Sequence, residues 1–220
     1  MNLKNATVNF LGDSITEGLG ASDHANGYVG RLEKMFGLKK ANNYGKSGTR
    51  IARQRVVTKA STDEDFCMRL EQMDESADAV VVFGGTNDYG HGEAPLGVPT
   101  DRTPDTFYGA CHYLMNELLT RYAGKPVVIV TPLHRVFEDS PTGDQALTKP
   151  LSVATLKTYR DILVEVAEVY ALPVLDLYSE SGFYPENSVN LRKMTVDSLH
   201  PTDFGHEWLA RRIGHFLEEL

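Results

Sequence analysis

Cysteine is scarce in this chain: Cys67 and Cys111 are its only two thiols in 220 residues. They form no CxxC pair and cannot build a disulfide framework. That suits a reducing compartment, and both are expected to lie buried as small hydrophobes. Long apolar runs are missing as well. The purest, Ala79 to Phe83 and Val127 to Val130, fall far short of the ~20 residues that a spanning helix needs. The N-terminal MNLKNATVNFLGDS lacks the basic-then-apolar order of a secretory leader, so a cytoplasmic location without membrane insertion is expected. Positive charge is not in excess: 22 basic against 30 acidic side chains give a net charge of −8. This disfavours nucleic acid as a partner and attraction to anionic lipid surfaces. Internal repeats, low-complexity tracts and blocks of like charge are absent too. No linker divides the chain, so one domain over residues 1–220 is expected. Asn5-Ala6-Thr7 matches a glycosylation acceptor by pattern only and carries no weight inside an expected strand.

What is present is a recurring alternation. Thr7 to Leu11, Ala79 to Phe83, Val127 to Thr131 and Pro173 to Leu177 are short and rich in Val, Ile, Leu and Phe, as strands buried on both faces are. A weaker fifth strand is expected at Ala41 to Tyr44. Helical patterns fall between them, over Asp105 to Tyr122 and Ser152 to Tyr170. In the latter, Leu156, Tyr159, Ile162, Leu163, Val166 and Val169 form one stripe. The last helix places Phe204, Trp208, Leu209, Ile213, Phe216, Leu217 and Leu220 on one face. Strands alternating with helices imply an α/β fold whose parallel sheet is covered on both sides. Two polar loops, Asp88 to Thr103 and Pro132 to Pro150, begin where strands end, which is where functional loops gather in such sheets.

Four segments carry residues suited to chemistry. The first strand runs into Gly12-Asp13-Ser14-Ile15, which fits a nucleophile at the sheet's carboxyl edge, although read alone it fits a helix-capping turn better. A serine needs a base to take its proton. Of seven histidines, His112, His206 and His215 sit inside helical patterns. His200 stands apart in Asp197-Ser198-Leu199-His200-Pro201, where the proline drives it out of helical geometry. Asp197, three residues earlier, can orient the imidazole; a casual surface pair is the competing reading. Gly84-Gly85-Thr86-Asn87-Asp88 ends a strand and offers an amide donor for negative charge developing on a carbonyl oxygen, or a simple turn. Asn43-Tyr44-Gly45-Lys46-Ser47-Gly48 offers backbone N–H donors, or a flexible loop. The convergence of all four segments on strand ends or helix entries favours catalysis over any one motif read singly.

Taken together, these blocks resemble the SGNH branch of the GDSL esterase and lipase family. Gly-Asp-Ser-Ile stands here for Gly-Asp-Ser-Leu, so Ser14 matches the nucleophile. The resemblance implies Gly48 and Asn87, with the Ser14 N–H, as the oxyanion hole, and Asp197 and His200 as the rest of a triad. It implies a flavodoxin-like three-layer α/β/α sandwich with a five-stranded parallel sheet, and ester or thioester hydrolysis without a metal or cofactor. The family's substrates include acetylated sugars, lysophospholipids, thioesters and simple esters. The polar loops carry Tyr89, His91 and His134, and no long apolar stretch suits a fatty chain. A small-molecule ester with a short acyl group, acetyl on carbohydrate, is therefore the expected substrate, with Tyr89, His91 and His134 as contacts. The Tyr89-Gly90-His91-Gly92 extension is not part of the family's general pattern. The alternatives are a lysophospholipase or thioesterase of the same family, or a non-catalytic binding domain on the same fold.

Other look-alikes fail on single positions. Gly45-Lys46-Ser47 lacks the upstream glycine of a phosphate loop, since position 40 is Lys40. Ile15 stands where an aspartate phosphatase needs its second aspartate. Ala210 stands where a His-Glu-x-x-His zinc site needs its second histidine. Ser14 has no Gly-x-Ser-x-Gly around it, and Asp13 and Glu17 would repel a phosphate.

Overall fold

A computed structural model describes residues 1–56, 62–143 and 154–220. Five strands, β1 (Thr7–Gly12), β2 (Lys40–Gly45), β3 (Ala79–Phe83), β4 (Val127–Val130) and β5 (Val174–Leu175), form one sheet in the order β2-β1-β3-β4-β5. Every pairing is parallel. Side chains of the central strands alternate between the faces, as a pleated strand requires. Val80, Val82, Val127 and Ile129 pack under the Phe107–Arg121 and Leu156–Val169 helices. Val81, Phe83, Val128 and Val130 pack with the Tyr28–Phe36 and Asp203–Glu218 helices. Each such fully buried side chain contributes about 1.5–3 kcal/mol. The result is the three-layer α/β/α arrangement with flavodoxin-like strand order.

Polar groups set the edges of this pattern. Asn9, in the middle of β1, is wholly buried. It is satisfied there by Tyr122, the Asp74 carbonyl and Asn42. β5 is shorter than expected. Asp176 is captured by the Thr131 hydroxyl and by Arg160, and the Tyr178 N–H donates to Thr131. These bonds pull the chain out of the ladder, so Leu177 starts a helical turn, Leu177–Glu180, instead of closing the strand. The helix expected from Ser152 begins at Leu156; Ser152 itself lies outside the described residues, as do residues 144–150 of the second polar loop. The last helix also differs in its buried face. His206, Leu209, Ala210, Ile213 and Leu217 are buried, whereas Phe204 and Leu220 are exposed, because the Tyr28–Phe36 helix covers one narrow side of it. Cys67 and Cys111 are free and buried, and burial pushes both thiols up. Among the described residues no helix is long and apolar enough to cross a membrane.

Chain crossovers leave β1 on one side toward β2 and on the other toward β3, so the switch point lies at the carboxyl ends of β1 and β3. Ser14 follows the first strand and Asn87 follows the second.

Candidate active site

Why Ser14 stands where it does begins with Gly12. A Cβ there would lie 1.9 Å from the Thr16 hydroxyl and 2.9 Å from the Phe83 carbonyl, so only glycine lets the chain turn this tightly against β3. Asp13 caps the short Ser14–Glu17 helix by accepting from the Ile15 N–H at 3.0 Å. Ser14 is then the first helical residue.

Its hydroxyl lies 2.9 Å from His200 Nε2, and His200 Nδ1 lies 2.6 Å from Asp197 Oδ2. The carboxylate can only accept, so Nδ1 carries the hydrogen and Nε2 presents its lone pair to the Ser14 O–H. The segment holding the pair is pinned. Thr195 and Pro201 form an antiparallel bridge, and the Val196 N–H donates to the His200 carbonyl. Asp197 Oδ1 accepts from the Leu199 and His200 N–H groups. Ser198 is held at φ 74°, a left-handed conformation that costs about 1–3 kcal/mol in a non-glycine residue. Asp197 is partly desolvated, which raises its carboxyl, but the hydrogen bonds from the His200 side chain and backbone outweigh this and hold it below the usual range.

In the turn after β2, Gly48 sits at φ 74°, which glycine adopts without strain. Its turn is fastened from three directions. Glu17 accepts from the Ser47 N–H at 2.7 Å and from the Ser47 hydroxyl. Asn43 donates to the Thr16 carbonyl at 2.8 Å. Arg69, buried against the Phe66 ring, donates to the Gly12 and Tyr44 carbonyls and to the Thr49 hydroxyl. Asn87 donates through Nδ2 to the Thr49 carbonyl at 3.0 Å. Asp88 accepts from the Ile51 and Ala52 N–H groups, both at 2.9 Å. The ends of β1, β2 and β3 are therefore tied into one polar cluster with Ser14, Gly48, Asn87, Asp197 and His200 around it. Such an arrangement can activate a hydroxyl and surround a developing oxyanion with fixed donors.

The remaining site expectations are distributed differently. His91 lies in this cluster, 3.2 Å from Asn87 Oδ1. Tyr89 does not: it is fully buried, its ring edge against Tyr159 and its hydroxyl donating to the carbonyls of Phe137 and Ser140. The chain past Asn87 continues as the Thr86–His91 helix rather than as loop, which turns Tyr89 inward. His134 pairs with Glu138 at 2.6 Å and lies against Tyr178, beyond β4 and two strands from Ser14. His206 is occupied on both ring nitrogens, accepting from the Tyr28 N–H and donating to the Leu19 carbonyl. Arg69, Glu17, Arg50 and Asp88 escape sequence reasoning as site residues. Asp88 alone carried a signal, as the last letter of Gly-Thr-Asn-Asp.

Asp13 is wholly buried beside this cluster, and that burial raises its carboxyl from 3.8 to about 6, against the lowering effect of the Ile15 N–H. Between these values the folded state holds a proton that the unfolded chain has lost. The stability that Asp13 contributes is therefore greatest below the lower value and is lost as pH rises through about 6. A raise of this size corresponds to about 3 kcal/mol. Asp13→Asn keeps an acceptor for the Ile15 N–H without the charge. Its stability relative to wild type should improve by about 2–3 kcal/mol between pH 4 and pH 7 in urea unfolding. A gap that stays constant over that range would mean that Asp13 titrates as an exposed carboxylate.

The model of the GDSL-like lipase/acylhydrolase family matches residues 10–208. A protein of known structure from Lactobacillus plantarum is 29% identical with a TM-score of 0.83, over 98% of each chain. A structure described as a possible lipase from Chitinophaga pinensis is 21% identical with a TM-score of 0.71, covering 97% of this chain and 98% of its own. A two-domain esterase active on acetylated mannans is 22% identical with a TM-score of 0.58, covering 97% of this chain and 50% of its own. No curated protein matches the sequence.

Proposed function

The chain belongs to the GDSL-like lipase/acylhydrolase family, and from that premise we propose that it is a serine esterase acting through an acyl-enzyme on short-chain, acetyl-type esters. The observation that carries the mechanism is the unbroken line from Ser14 Oγ through His200 to Asp197, at 2.9 and 2.6 Å. Ser14 Oγ attacks the acyl carbon while its proton passes to His200 Nε2. The carbonyl π pair moves onto oxygen, and that oxyanion meets Asn87 Nδ2–H and the Gly48 and Ser14 N–H groups. Collapse of the tetrahedral intermediate breaks the ester C–O bond, and the alcohol leaves with the proton from Nε2. Water then attacks the acyl-enzyme, gives its proton to Nε2, and Ser14 leaves by taking it back. Asp197 keeps Nδ1 protonated throughout and stabilises the imidazolium.

The short-acyl reading rests on the polarity around Ser14. At the Gly48 turn Glu17 is bonded to Ser47, Asn43 to the Thr16 carbonyl, and Lys46 to Glu64 at 2.6 Å, so none of these side chains offers an apolar wall to a long chain. The fold's likeness to an esterase active on acetylated mannans is compatible with an acetylated carbohydrate. Hydrolysis of p-nitrophenyl esters from acetate to laurate tests this. Specificity should peak at two to four carbons and fall by about tenfold or more past ~8 carbons, because added methylenes that stay wet gain none of the ~0.8 kcal/mol each of burial. A steady rise with chain length would replace the acetyl-ester reading with a lipase-like one. No hydrolysis of any ester beyond that of a Ser14→Ala control would point instead to a binding domain.

A further inference from the structure

The amide of Asn87 is held at both ends. Its Nδ2 faces the Thr49 carbonyl at 3.0 Å, and its Oδ1 faces His91 Nε2 at 3.2 Å. Groups that can act in one sense only fix every atom in this chain. The Thr49 carbonyl only accepts, which places the NH2 on that side and the oxygen toward His91. That oxygen only accepts, so His91 Nε2 carries a hydrogen. The other ring nitrogen, Nδ1, faces Arg50 Nη1 at 2.8 Å. A guanidinium only donates, so Nδ1 is a lone pair. His91 is thus a neutral imidazole in a single tautomer, the opposite one to His200. Arg50 is itself anchored, donating to Asp63 Oδ1 at 2.9 Å and to the Thr62 carbonyl at 3.2 Å, with both charged side chains less than a tenth exposed.

We propose that His91, set by Arg50, is a positioning residue that locks the Asn87 amide so that its second Nδ2–H faces the oxyanion. This rests on the reading of Asn87 as an oxyanion donor. One Nδ2–H is spent on Thr49, and the other is free to point into the site only while the amide keeps this orientation. Without the His91 N–H, a half-turn of the amide would present an oxygen lone pair to a developing negative charge. The Arg50 guanidinium guards against that by excluding the tautomer with its hydrogen on Nδ1, which would set donor against donor there and turn a bare Nε2 lone pair toward Asn87. The sequence distance from Arg50 to His91 is 41 residues, so the pair is assembled by the fold and not by a local turn.

The test is a set of variants read by two rates: kcat and KM for p-nitrophenyl acetate, and the second-order rate at which a fluorophosphonate labels Ser14. The second needs no knowledge of the natural ester, and its phosphoryl oxygen uses the same donors. Asn87→Ala should lower kcat by about 10²–10³. His91→Ala should lower it by about 10–10² with KM within about threefold, the scale of a misplaced catalytic group. In the Asn87→Ala background, His91→Ala should cost nothing more, since groups that act as a unit are not additive. His91→Gln, which brings an amide N–H close to the position of Nε2, should recover most of the rate. His91→Asn, which keeps a group near Nδ1 for Arg50 but cannot reach Asn87, should match His91→Ala. Thermal unfolding of each protein identifies any variant that fails to fold, and the Gln and Asn pair then decides. Wild-type rates in His91→Ala and His91→Asn, or losses that multiply in the double variant, overturn the positioning role. If the fluorophosphonate labels wild type no faster than Ser14→Ala, the esterase reading falls first and this one with it.

Discussion

Replacing Ser14 by Ala should lower kcat for p-nitrophenyl acetate by about 10⁵–10⁶, down to the level that oxyanion donors and binding alone sustain. The magnitude follows from what the hydroxyl does. It forms the covalent bond, and His200 has no other proton to take from the protein at this point in the cycle. Nothing else in the cluster can substitute. Thr16 is buried with its hydroxyl against Tyr28, Ser47 is committed to Glu17, and both cysteines lie in the core with burial keeping them as thiols. The fold should not register the change. Ser14 is a first-turn helical position where alanine is well tolerated, the capping bond comes from Asp13 rather than Ser14, and Oγ has His200 as its partner. Stability within about 1 kcal/mol of wild type is therefore expected. Mass spectrometry after fluorophosphonate treatment gives an independent readout: an adduct on the Ser14 peptide in wild type and none in the variant. Activity within tenfold of wild type in Ser14→Ala would place the nucleophile elsewhere.

Some of this is legible in the sequence because the information is local. β3 reads as a strand since five consecutive apolar residues between polar flanks suit burial on both faces, and all five are buried. β2 is weaker to read because it is an edge strand, and only Asn42 in it is buried. Ser14, Asp197 and His200 stand out because backbone punctuation surrounds them: a glycine before the first, a proline after the last, and a three-residue spacing within the pair. Gly48 and Asn87 are marked by glycine-rich turns. What holds these groups in place carries no such mark. Arg69 reaches Gly12 across 57 residues, Glu17 reaches Ser47 across 30, and Arg50 reaches His91 across 41. A charged residue whose partner is decided by which strands become neighbours looks, in the sequence, like any surface charge. Tyr89 shows the converse. It sits next to a motif in sequence, but helical geometry after Asn87 rotates it into the core. Sequence proximity to a motif is thus a poor guide to contact unless the local backbone is known.

Asp197→Asn should lower kcat by about 10⁴ while leaving the fold intact, and the reason lies in the two backbone N–H groups beside it. Leu199 and His200 both donate to Asp197 Oδ1. An asparagine here must therefore keep its oxygen on that side, because turning the NH2 there would set donors against donors. The NH2 then occupies the place of Oδ2 and faces His200 Nδ1. It can only donate, so Nδ1 must become the lone pair and the hydrogen must move to Nε2. The imidazole now presents an N–H to the Ser14 hydroxyl, and it cannot take the proton. The two backbone bonds that, with the His200 side chain, hold the carboxylate below its usual range in wild type would thus enforce the wrong tautomer in the variant. Since all of the hydrogen bonds are remade, unfolding in urea should shift little, while the acylation rate collapses. The loss should lessen at high pH, where hydroxide replaces the missing base. A variant that retains a tenth or more of wild-type kcat at neutral pH would show that Asp197 does not set the state of His200, and that the pair is held together for the turn alone.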